Sequence, residues 1–498
     1  MNRGRGGSPA GLLAALAAAA VLLGYRLDDV AGLHRDEAAF GLAAEAILRG
    51  ELRPLAGLLS TYAAPLHSYG IALFFRLFGE SLWSLRAGGV LANLLAAALY
   101  ADLARRFLAG RAAWAAWFLV TMPSFVVLGR IAGENYALNP LLFMGGVWLF
   151  AVPGLRGTGR AQAAGLLAGG LCLGLAVWNH IVSLPSVLAA AAAYAVFVRP
   201  GRPFLVRSAA LLLPGALLAA AAAAAALVSA PALNSGASML SNLSPAVLPS
   251  LLNMLHTLGG GALYARACGE AALPLTFILP VALAAGLIAP WRRSVPEGER
   301  GLGKGLSAFV AASFLGTCLI TPAGMTGSRL WIIPLLAVPA VLALALPRRS
   351  LTAAFLGGGL VAVNLAGLGW DYFHNFLEDG GVPRRAVFVG GGFDNSWDFM
   401  DLRPLAATAV KRPGTPVFVE DFNLWRLRFL LPPDQRERAR LLTPEVLDRG
   451  AAPAGSLFAF LNLEDRLLPP LIRTRRLNLV RRPELSSRQF SVYEETGP

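Results

Sequence analysis

Long apolar segments separated by short, arginine-rich connections fill the first three quarters of this chain, and they restrict its possible folds more than any other feature. A run of about 20 mostly apolar residues is long enough to cross a bilayer as a helix. Of the 498 residues, 56% are hydrophobic and only 14% are charged. A water-soluble globular domain rarely has such a composition. The sequence therefore predicts a polytopic α-helical membrane protein.

The apolar segments predict about 11 transmembrane helices. Several segments are short, so we expect them to be tilted or buried among other helices. The first one follows two arginines in the manner of a signal peptide, but it lacks a clear small-residue cleavage site, so we interpret it as an uncleaved span. The predicted spans are residues 11–27, 87–103, 112–128, 139–152, 161–182, 184–197, 209–228, 273–290, 306–320, 330–346 and 351–367.

The distribution of basic residues predicts which ends of the spans face the cytoplasm. Short cytoplasmic loops carry an excess of Lys and Arg, and every dense basic cluster falls on one side if the N-terminus is inside. The net charge of +14 therefore belongs to loops and does not indicate a nucleic-acid-binding face. The basic residues of the inner loops are Arg105, Arg106, Arg111, Arg156, Arg160, Arg199, Arg202, Arg207, Arg292, Arg293, Arg300, Lys304, Arg348 and Arg349.

Residues 65–79 form an apolar segment that is short for a span. If this segment crossed the bilayer, every later basic loop would lie outside, against the positive-inside bias. We therefore predict that it lies along the outer membrane surface. It then belongs to a first outer loop that runs from residue 28 to residue 86.

The composition changes after residue 367, where charges of both signs and proline and glycine breaks appear. This predicts a membrane domain at residues 1–368 and a small extracytoplasmic α/β domain at residues 369–498. The chain has three cysteines, and their positions indicate no disulfide framework. The predicted β-type runs are residues 386–389, 416–420, 457–461 and 490–493, with a helix-like stretch at 397–411.

Two adjacent carboxylates, Asp36 and Glu37, stand just after the first span and open an amphipathic stretch, residues 38–50. In one interpretation Asp36 caps a helix over residues 38–49, with Gly50 as its C-terminal stop. In the other, a carboxylate at the lipid interface serves as a general base, because partial desolvation raises its pKa towards the operating pH. The two interpretations are compatible, since a capping carboxylate is well oriented.

Eight short motifs occur in a fixed order along the chain: HRDEAAF (34–40), AEAILRG (44–50), APLHSY (64–69), LFGES (77–81), LRA (85–87), PSFVVLGR (123–130), NPLLF (139–143) and SRLWIIP (328–334). Their order, spacing and topology together resemble those of the GT-C glycosyltransferases, specifically the branch with protein O-mannosyltransferases and lipid A aminoarabinose transferases. The resemblance covers roughly the first 150 residues well and the middle of the chain loosely.

The resemblance implies a GT-C fold and an enzyme that transfers a sugar from a polyprenyl-phosphate donor to an acceptor hydroxyl with inversion, on the extracytoplasmic side. Asp36 would be the base, and Glu37 would orient the acceptor or support the loop. The other side chains predicted to line the site or to contact the lipid phosphate are Arg86, Arg130, Arg329, Glu134, Asn135, Asn179, His180 and His67.

The sequence departs from the family pattern at two places. Phe40 replaces a common tyrosine, and Ala63 and Ala64 replace a common Lys or His and a Pro, although His67 is near enough to substitute for the cation. No cofactor is predicted, because the histidines lack metal-ligand spacing. A divalent ion held by Asp36 and Glu134 stays an open alternative.

The rival function class is a transporter or flippase for polyprenyl-linked lipids, which would place ionisable residues near mid-membrane in broken helices. A third interpretation treats the C-terminal part as a binding module with a membrane anchor, which would leave the acidic pair without a role. We favour the enzyme, with a lipid, glycan or protein acceptor. The Arg- and Ala-rich composition indicates a bacterial inner membrane.

Overall fold

The computed structural model is mostly helical in its first three quarters and contains a small β-sheet near its C-terminus. It describes residues 9–29, 32–53, 66–133, 137–154, 157–198, 202–229, 283–288, 297–320, 332–347, 351–374, 399–443, 446, 452–461, 478–486 and 490–496.

Helices occupy the apolar segments where the sequence predicts spans. Of the predicted span at 273–290, the structure describes only residues 283–288, and these are helical. Within the described residues, three helices are long and apolar enough to cross a membrane, or four if one bent pair counts as a single span. The total of 11 stays a prediction. The helices are α1 (Pro9–Gly24), α2 (Arg35–Leu48), α3 (Leu66–Phe78), α4 (Leu82–Phe107), α5 (Ala112–Thr121), α6 (Pro123–Gly129), α7 (Asn139–Leu149), α8 (Gly159–Asn179), α9 (Ser183–Val198), α10 (Arg202–Ser229), α11 (Glu297–Ile320), α12 (Ile332–Leu335), α13 (Val338–Ala345) and α14 (Leu351–Gly367).

The predicted span 112–128 is broken in the structure. Helix α5 ends at Thr121, Met122 is extended, and α6 begins at Pro123 with a bend of 54°. Proline lacks the backbone N–H that would continue the hydrogen bonding of α5, and its fixed φ suits the first turn of a new helix. The predicted span is therefore a bent pair of helices, and the bend sets the direction in which α6 delivers Arg130.

Close helix packing in the membrane part depends on small residues. A Cβ added to Gly174 of α8 would lie 2.3 Å from the Gly215 carbonyl oxygen of α10. The two backbones therefore touch, as is typical of membrane helices that associate without a hydrophobic driving force. The core around α1, α4 and α5 is similarly rich in buried alanines, among them Ala15, Ala97 and Ala115.

Helix α3 coincides with the segment predicted to lie on the membrane surface. Its buried face, with Ile71 and Phe75, packs against α2 and α4. Its other face leaves large apolar side chains exposed, among them Leu73, Leu77 and Phe78. A helix with one apolar face in the protein and a second one exposed is suited to a lipid interface.

The C-terminal part contains a five-stranded mixed sheet of order β4-β3-β5-β7-β6, in which β3 is parallel to β4 and β5, and β7 is antiparallel to β5 and β6. A separate two-residue strand, β1, pairs with β2. The predicted runs at 416–420, 457–461 and 490–493 are strands, while 386–389 lies outside the described residues. The strands are β1 (Leu33–His34), β2 (Phe399–Met400), β3 (Val417–Val419), β4 (Ala439–Leu441), β5 (Leu457–Leu461), β6 (Leu479–Arg481) and β7 (Phe490–Glu495).

Two helices, α15 (Arg403–Lys411) and α16 (Asp421–Leu430), lie beside this sheet and bury Leu405, Ala409 and Leu427 against it. The expected helix at 397–411 begins only at Arg403, because residues 399–400 are taken up in the pairing of β2 with β1. The C-terminal part thus reaches back to the segment that carries the acidic pair.

Candidate active site around the acidic pair

Helix α2 begins at the acidic pair, and His34 closes its first turn. The Asp36 N–H donates to His34 Nδ1 at 3.1 Å, and the His34 N–H donates to Glu37 Oε2 at 3.0 Å. This reciprocal pair of bonds is a capping box. The expectation that Asp36 caps the helix is therefore wrong, because His34 takes that position and the helix begins at Arg35. Asp36 lies inside the first turn.

Glu37 is fully buried and accepts four hydrogen bonds. Arg86 donates from Nε to Oε1 and from Nη2 to Oε2, both at 2.8 Å. The backbone N–H groups of Ala132 and His34 donate to the same two oxygens at 2.7 and 3.0 Å. A carboxylate offers about four lone-pair positions, so Glu37 is saturated. Burial raises the pKa of Glu37, but the Arg86 charge and these hydrogen bonds outweigh it and hold the pKa below its ordinary value.

Arg86, near the start of α4, joins Glu37 to the end of the first span. Its Nη1 donates to the Leu27 carbonyl at 2.8 Å, and its Nη2 also donates to the Gly32 carbonyl at 3.1 Å. The side chain is buried. The predicted contact of Arg86 with a lipid phosphate stays a prediction; here its guanidinium binds protein acceptors and fixes the loop.

Arg130, which follows α6, closes the C-terminal end of α1. Its guanidinium donates to the carbonyls of Leu22, Leu23 and Tyr25 at 2.9, 3.1 and 2.7 Å. It also lies 5.1 Å from the centre of the Phe373 ring. A cation at a helix C-terminus satisfies carbonyls without intrahelical partners and matches the helix dipole. Lipid-phosphate binding by Arg130 also stays a prediction.

Asp36 differs from its neighbour, because 11% of its side chain is exposed. Arg35 Nε donates to Asp36 Oδ1 at 3.4 Å, and His34 Nδ1 lies 3.8 Å from Oδ2. The Arg35 side chain is 36% exposed. Sequence reasoning assigned Arg35 no role, although it lies within the 34–40 motif. Its position next to Asp36 is the sequence feature that could have identified it as a site residue.

The predicted histidines fall in two places. His67 of α3 is buried, and its ring packs edge to face on the Phe40 ring with 5.2 Å between the ring centres. His67 therefore lies beside α2, the helix that begins at the acidic pair. His180 ends α8 and accepts a hydrogen bond at Nδ1 from the Val182 N–H at 3.2 Å. Asn179, next to it, donates to Asn139 of α7. The structure therefore brings His67 to the acidic-pair helix and gives His180 and Asn179 contacts with α7 and the start of α9.

Three predicted site residues, Glu134, Asn135 and Arg329, lie outside the described residues. Among the residues that are described, no three His, Cys, Asp or Glu side chains are grouped to hold a metal ion. The alternative of an ion between Asp36 and Glu134 is therefore untested.

Residues from the C-terminal part complete the surroundings of α2, and sequence reasoning missed them. Arg426 Nε donates to the Leu33 carbonyl at 2.9 Å, and Arg436 Nη2 donates to Glu45 Oε1 at 2.8 Å. Both pairs are separated by more than 390 positions in the chain. No local pattern signals a contact over such a separation.

Comparison with known proteins agrees with this architecture. Residues 62–228 match the family model described as dolichyl-phosphate-mannose-protein mannosyltransferase. The fold resembles that of ArnT from Cupriavidus metallidurans bound to undecaprenyl phosphate, with a TM-score of 0.62, 15% identity and coverage of 98% of both chains. The arabinofuranosyltransferase AftD from Mycobacteria gives a TM-score of 0.50 at 15% identity, covering 99% of this chain and 40% of AftD. No curated protein sequence matches the chain.

The chain therefore has the fold of the polytopic GT-C membrane glycosyltransferases. The family-model match over residues 62–228 agrees with this fold. The resemblance predicted from the sequence motifs is confirmed.

Proposed function

We propose that this chain is a membrane glycosyltransferase that moves a sugar from a polyprenyl-phosphate donor to an acceptor hydroxyl, with inversion, at the outer face of a bacterial inner membrane. The observation that carries the proposal is the difference between the two adjacent carboxylates. Glu37 is saturated by four donors, whereas Asp36 keeps part of its side chain exposed at the start of α2. The resemblance to a fold crystallised with undecaprenyl phosphate supports the donor class.

In the proposed step, the acceptor oxygen attacks the anomeric carbon while Asp36 takes the acceptor proton. The new bond between that oxygen and carbon forms as the bond between the anomeric carbon and the phosphate oxygen breaks. The lipid phosphate leaves with the electron pair. In-line attack inverts the anomeric configuration.

Cations must stabilise the charge that grows on the leaving phosphate. Arg35 is the partly exposed guanidinium beside Asp36, and we assign it this contact. Arg329, Arg86, Arg130 and His67 keep their predicted roles at the lipid phosphate, while His180, Glu134 and Asn135 keep theirs in lining the site. The step uses no metal ion, so we expect EDTA to leave the rate unchanged. A loss of activity that Mg²⁺ or Mn²⁺ restores would favour the ion between Asp36 and Glu134.

The test is transfer by purified protein in nanodiscs from a panel of synthetic polyprenyl-phosphate sugars. We expect one donor class to be consumed, with release of the polyprenyl phosphate and a product of inverted anomeric configuration by NMR. If no donor is consumed but labelled polyprenyl lipid crosses proteoliposomes, the transporter class is correct. Retention of configuration would contradict the single displacement.

A further inference from the structure

The C-terminal part contacts the acidic-pair helix at both ends and in the middle. At the N-terminal end, β2 pairs with β1, and Arg426 binds the Leu33 carbonyl. At the far end, both terminal nitrogens of Arg436 bind the carboxylate of Glu45. The helix that carries Asp36 is therefore held by residues that follow α14 in the chain.

The contact at the N-terminal end acts on a single peptide group. The carbonyl of the Leu33–His34 peptide accepts from Arg426 Nε at 2.9 Å, and the N–H of the same peptide donates to Glu37 Oε2 at 3.0 Å. A peptide group is planar and rigid, so these two bonds together fix its orientation. Arg426 is itself buried and is held by Asn423 Oδ1, to which its Nη1 donates at 2.7 Å.

The orientation of this peptide determines the position of Asp36. His34 supplies the nitrogen of this peptide, so the orientation of the peptide positions the His34 side chain. The ring Nδ1 of His34 accepts from the Asp36 N–H at 3.1 Å. The same nitrogen lies 3.8 Å from Asp36 Oδ2. A rotation of the Leu33–His34 peptide would therefore move both the ring and the carboxylate.

The middle of the helix is held by close packing. A Cβ at Gly41 would lie 2.5 Å from Phe429 Cε2, so α16 can approach α2 only because position 41 has no side chain. Phe429 also stacks on Phe75 of α3 at 6.4 Å between ring centres. This packing restricts the sliding of α2 against α16.

We propose that Arg426 is a positioning residue for the transfer reaction, and that the C-terminal part sets the orientation of the Asp36 carboxylate through the Leu33–His34 peptide. This inference rests on the proposed function for its catalytic consequence. Its structural consequence, a fixed first turn of α2, can be measured separately. Misplacement of a reacting group by about 1 Å can cost on the order of 100-fold in rate.

The test compares Arg426→Gln and Arg426→Lys with wild type in nanodiscs. We expect Arg426→Gln to lower kcat by about 10- to 100-fold and to leave the KM for the donor nearly unchanged. Lysine keeps one charged donor but not the planar fork, so Arg426→Lys should recover part of the rate. The matched control is Arg412→Gln, which removes an ion pair to Glu494 within the C-terminal part and should leave kcat unchanged.

Hydrogen exchange in the same proteins gives a readout that does not depend on activity. Arg426→Gln should speed exchange in residues 33–38 while β5 stays protected. Equally fast exchange in β5 would show general unfolding of the C-terminal part and would overturn a positioning role. Unchanged kcat and unchanged exchange at 33–38 would also overturn it.

The double variant with Asp36→Asn separates this inference from the proposed function. If Arg426 acts through Asp36, Arg426→Gln should cost no further rate in the Asp36→Asn background. Full activity of Asp36→Asn alone would refute the proposed base and leave the exchange result standing. Loss of activity in Asp36→Asn with a fully additive Arg426→Gln effect would refute only the positioning role.

Discussion

Glu37 and Asp36 are neighbours in sequence, but the fold gives them different partners. Glu37 turns inward to Arg86 and two backbone N–H groups, whereas Asp36 lies beside Arg35 with 11% of its side chain exposed. The sequence identified the pair and its place after the first span. It could not separate the two roles, because the separation depends on donors from α4 and from the residues after α6.

Glu37→Gln tests whether the Glu37 carboxylate stabilises the fold through its ion pair with Arg86. Removing one partner of a buried ion pair leaves the other charge uncompensated, which costs about 3–5 kcal/mol. We expect a clearly lower midpoint of thermal unfolding at pH 7. Glu51→Gln is the control, because Glu51 forms an exposed pair with Arg49 in the connection that follows α2, and it should leave the midpoint unchanged.

The stabilisation by Glu37 has a defined pH dependence. Its folded-state pKa lies below the ordinary value of 4.5, so the unfolded chain binds the proton first as the pH falls. The contribution is complete above about pH 4.5 and is lost below it, as the pH falls through the folded pKa. The difference in the midpoint temperature of thermal unfolding between wild type and Glu37→Gln should therefore decrease below pH 4.5. A difference that stays constant down to pH 3 would contradict the ion pair.

Arg35→Gln tests the cation beside Asp36. If the Arg35 guanidinium meets the donor phosphate, its loss should raise the KM for the donor by roughly 5- to 10-fold, the scale of a partly exposed charge contact. Arg49→Gln, at the other end of α2, is the matched control with a similarly exposed side chain. Equal effects of the two variants in steady-state kinetics would mean that only general surface charge matters.

Most helices could be predicted at the scale of the element, because membrane spans are set by length and hydropathy alone. The bend at Pro123 could have been read from the proline, but the apolar run around it favoured a continuous span. The late start of α15 could not be predicted, because β2 at residues 399–400 pairs with β1 at residues 33–34, a contact between segments far apart in the chain.

Gly41→Ala tests the packing of α16 on α2. The added Cβ would lie 2.5 Å from Phe429, and overpacking of this kind costs about 1–3 kcal/mol. We expect a lower midpoint of thermal unfolding and faster hydrogen exchange in α16. Gly70→Ala in α3 meets no atom within 4 Å, so it should be neutral or slightly stabilising. A stabilised Gly41→Ala protein would contradict the close contact.

At the scale of the whole molecule, the positive-inside rule and the motif order predicted a GT-C architecture, and the fold agrees. The links from the C-terminal part to α2 could not be predicted. Arg426 binds a backbone carbonyl, and a backbone acceptor is present at every residue, so no residue type marks its partner. Arg436 and Glu45 are a recognisable charge pair only once the fold brings them together.

The predicted topology can be checked by reporter fusions after Gly79 and after Pro498. Both should report the outer side, because the acidic-pair loop and the C-terminal part are in contact and must share one side of the membrane. A fusion after Lys304, in the basic first turns of α11, is the control and should report the cytoplasm. Opposite signals from Gly79 and Pro498 would contradict both the topology and the contact.

The central claim is that Asp36 is the catalytic base, and single-turnover transfer by Asp36→Asn tests it most directly. Asparagine is similar in size and cannot take a proton, so with saturating donor and acceptor the rate should fall by about 100- to 10,000-fold. Donor binding and the midpoint of thermal unfolding should stay close to wild type. A single-turnover rate within threefold of wild type would contradict the account.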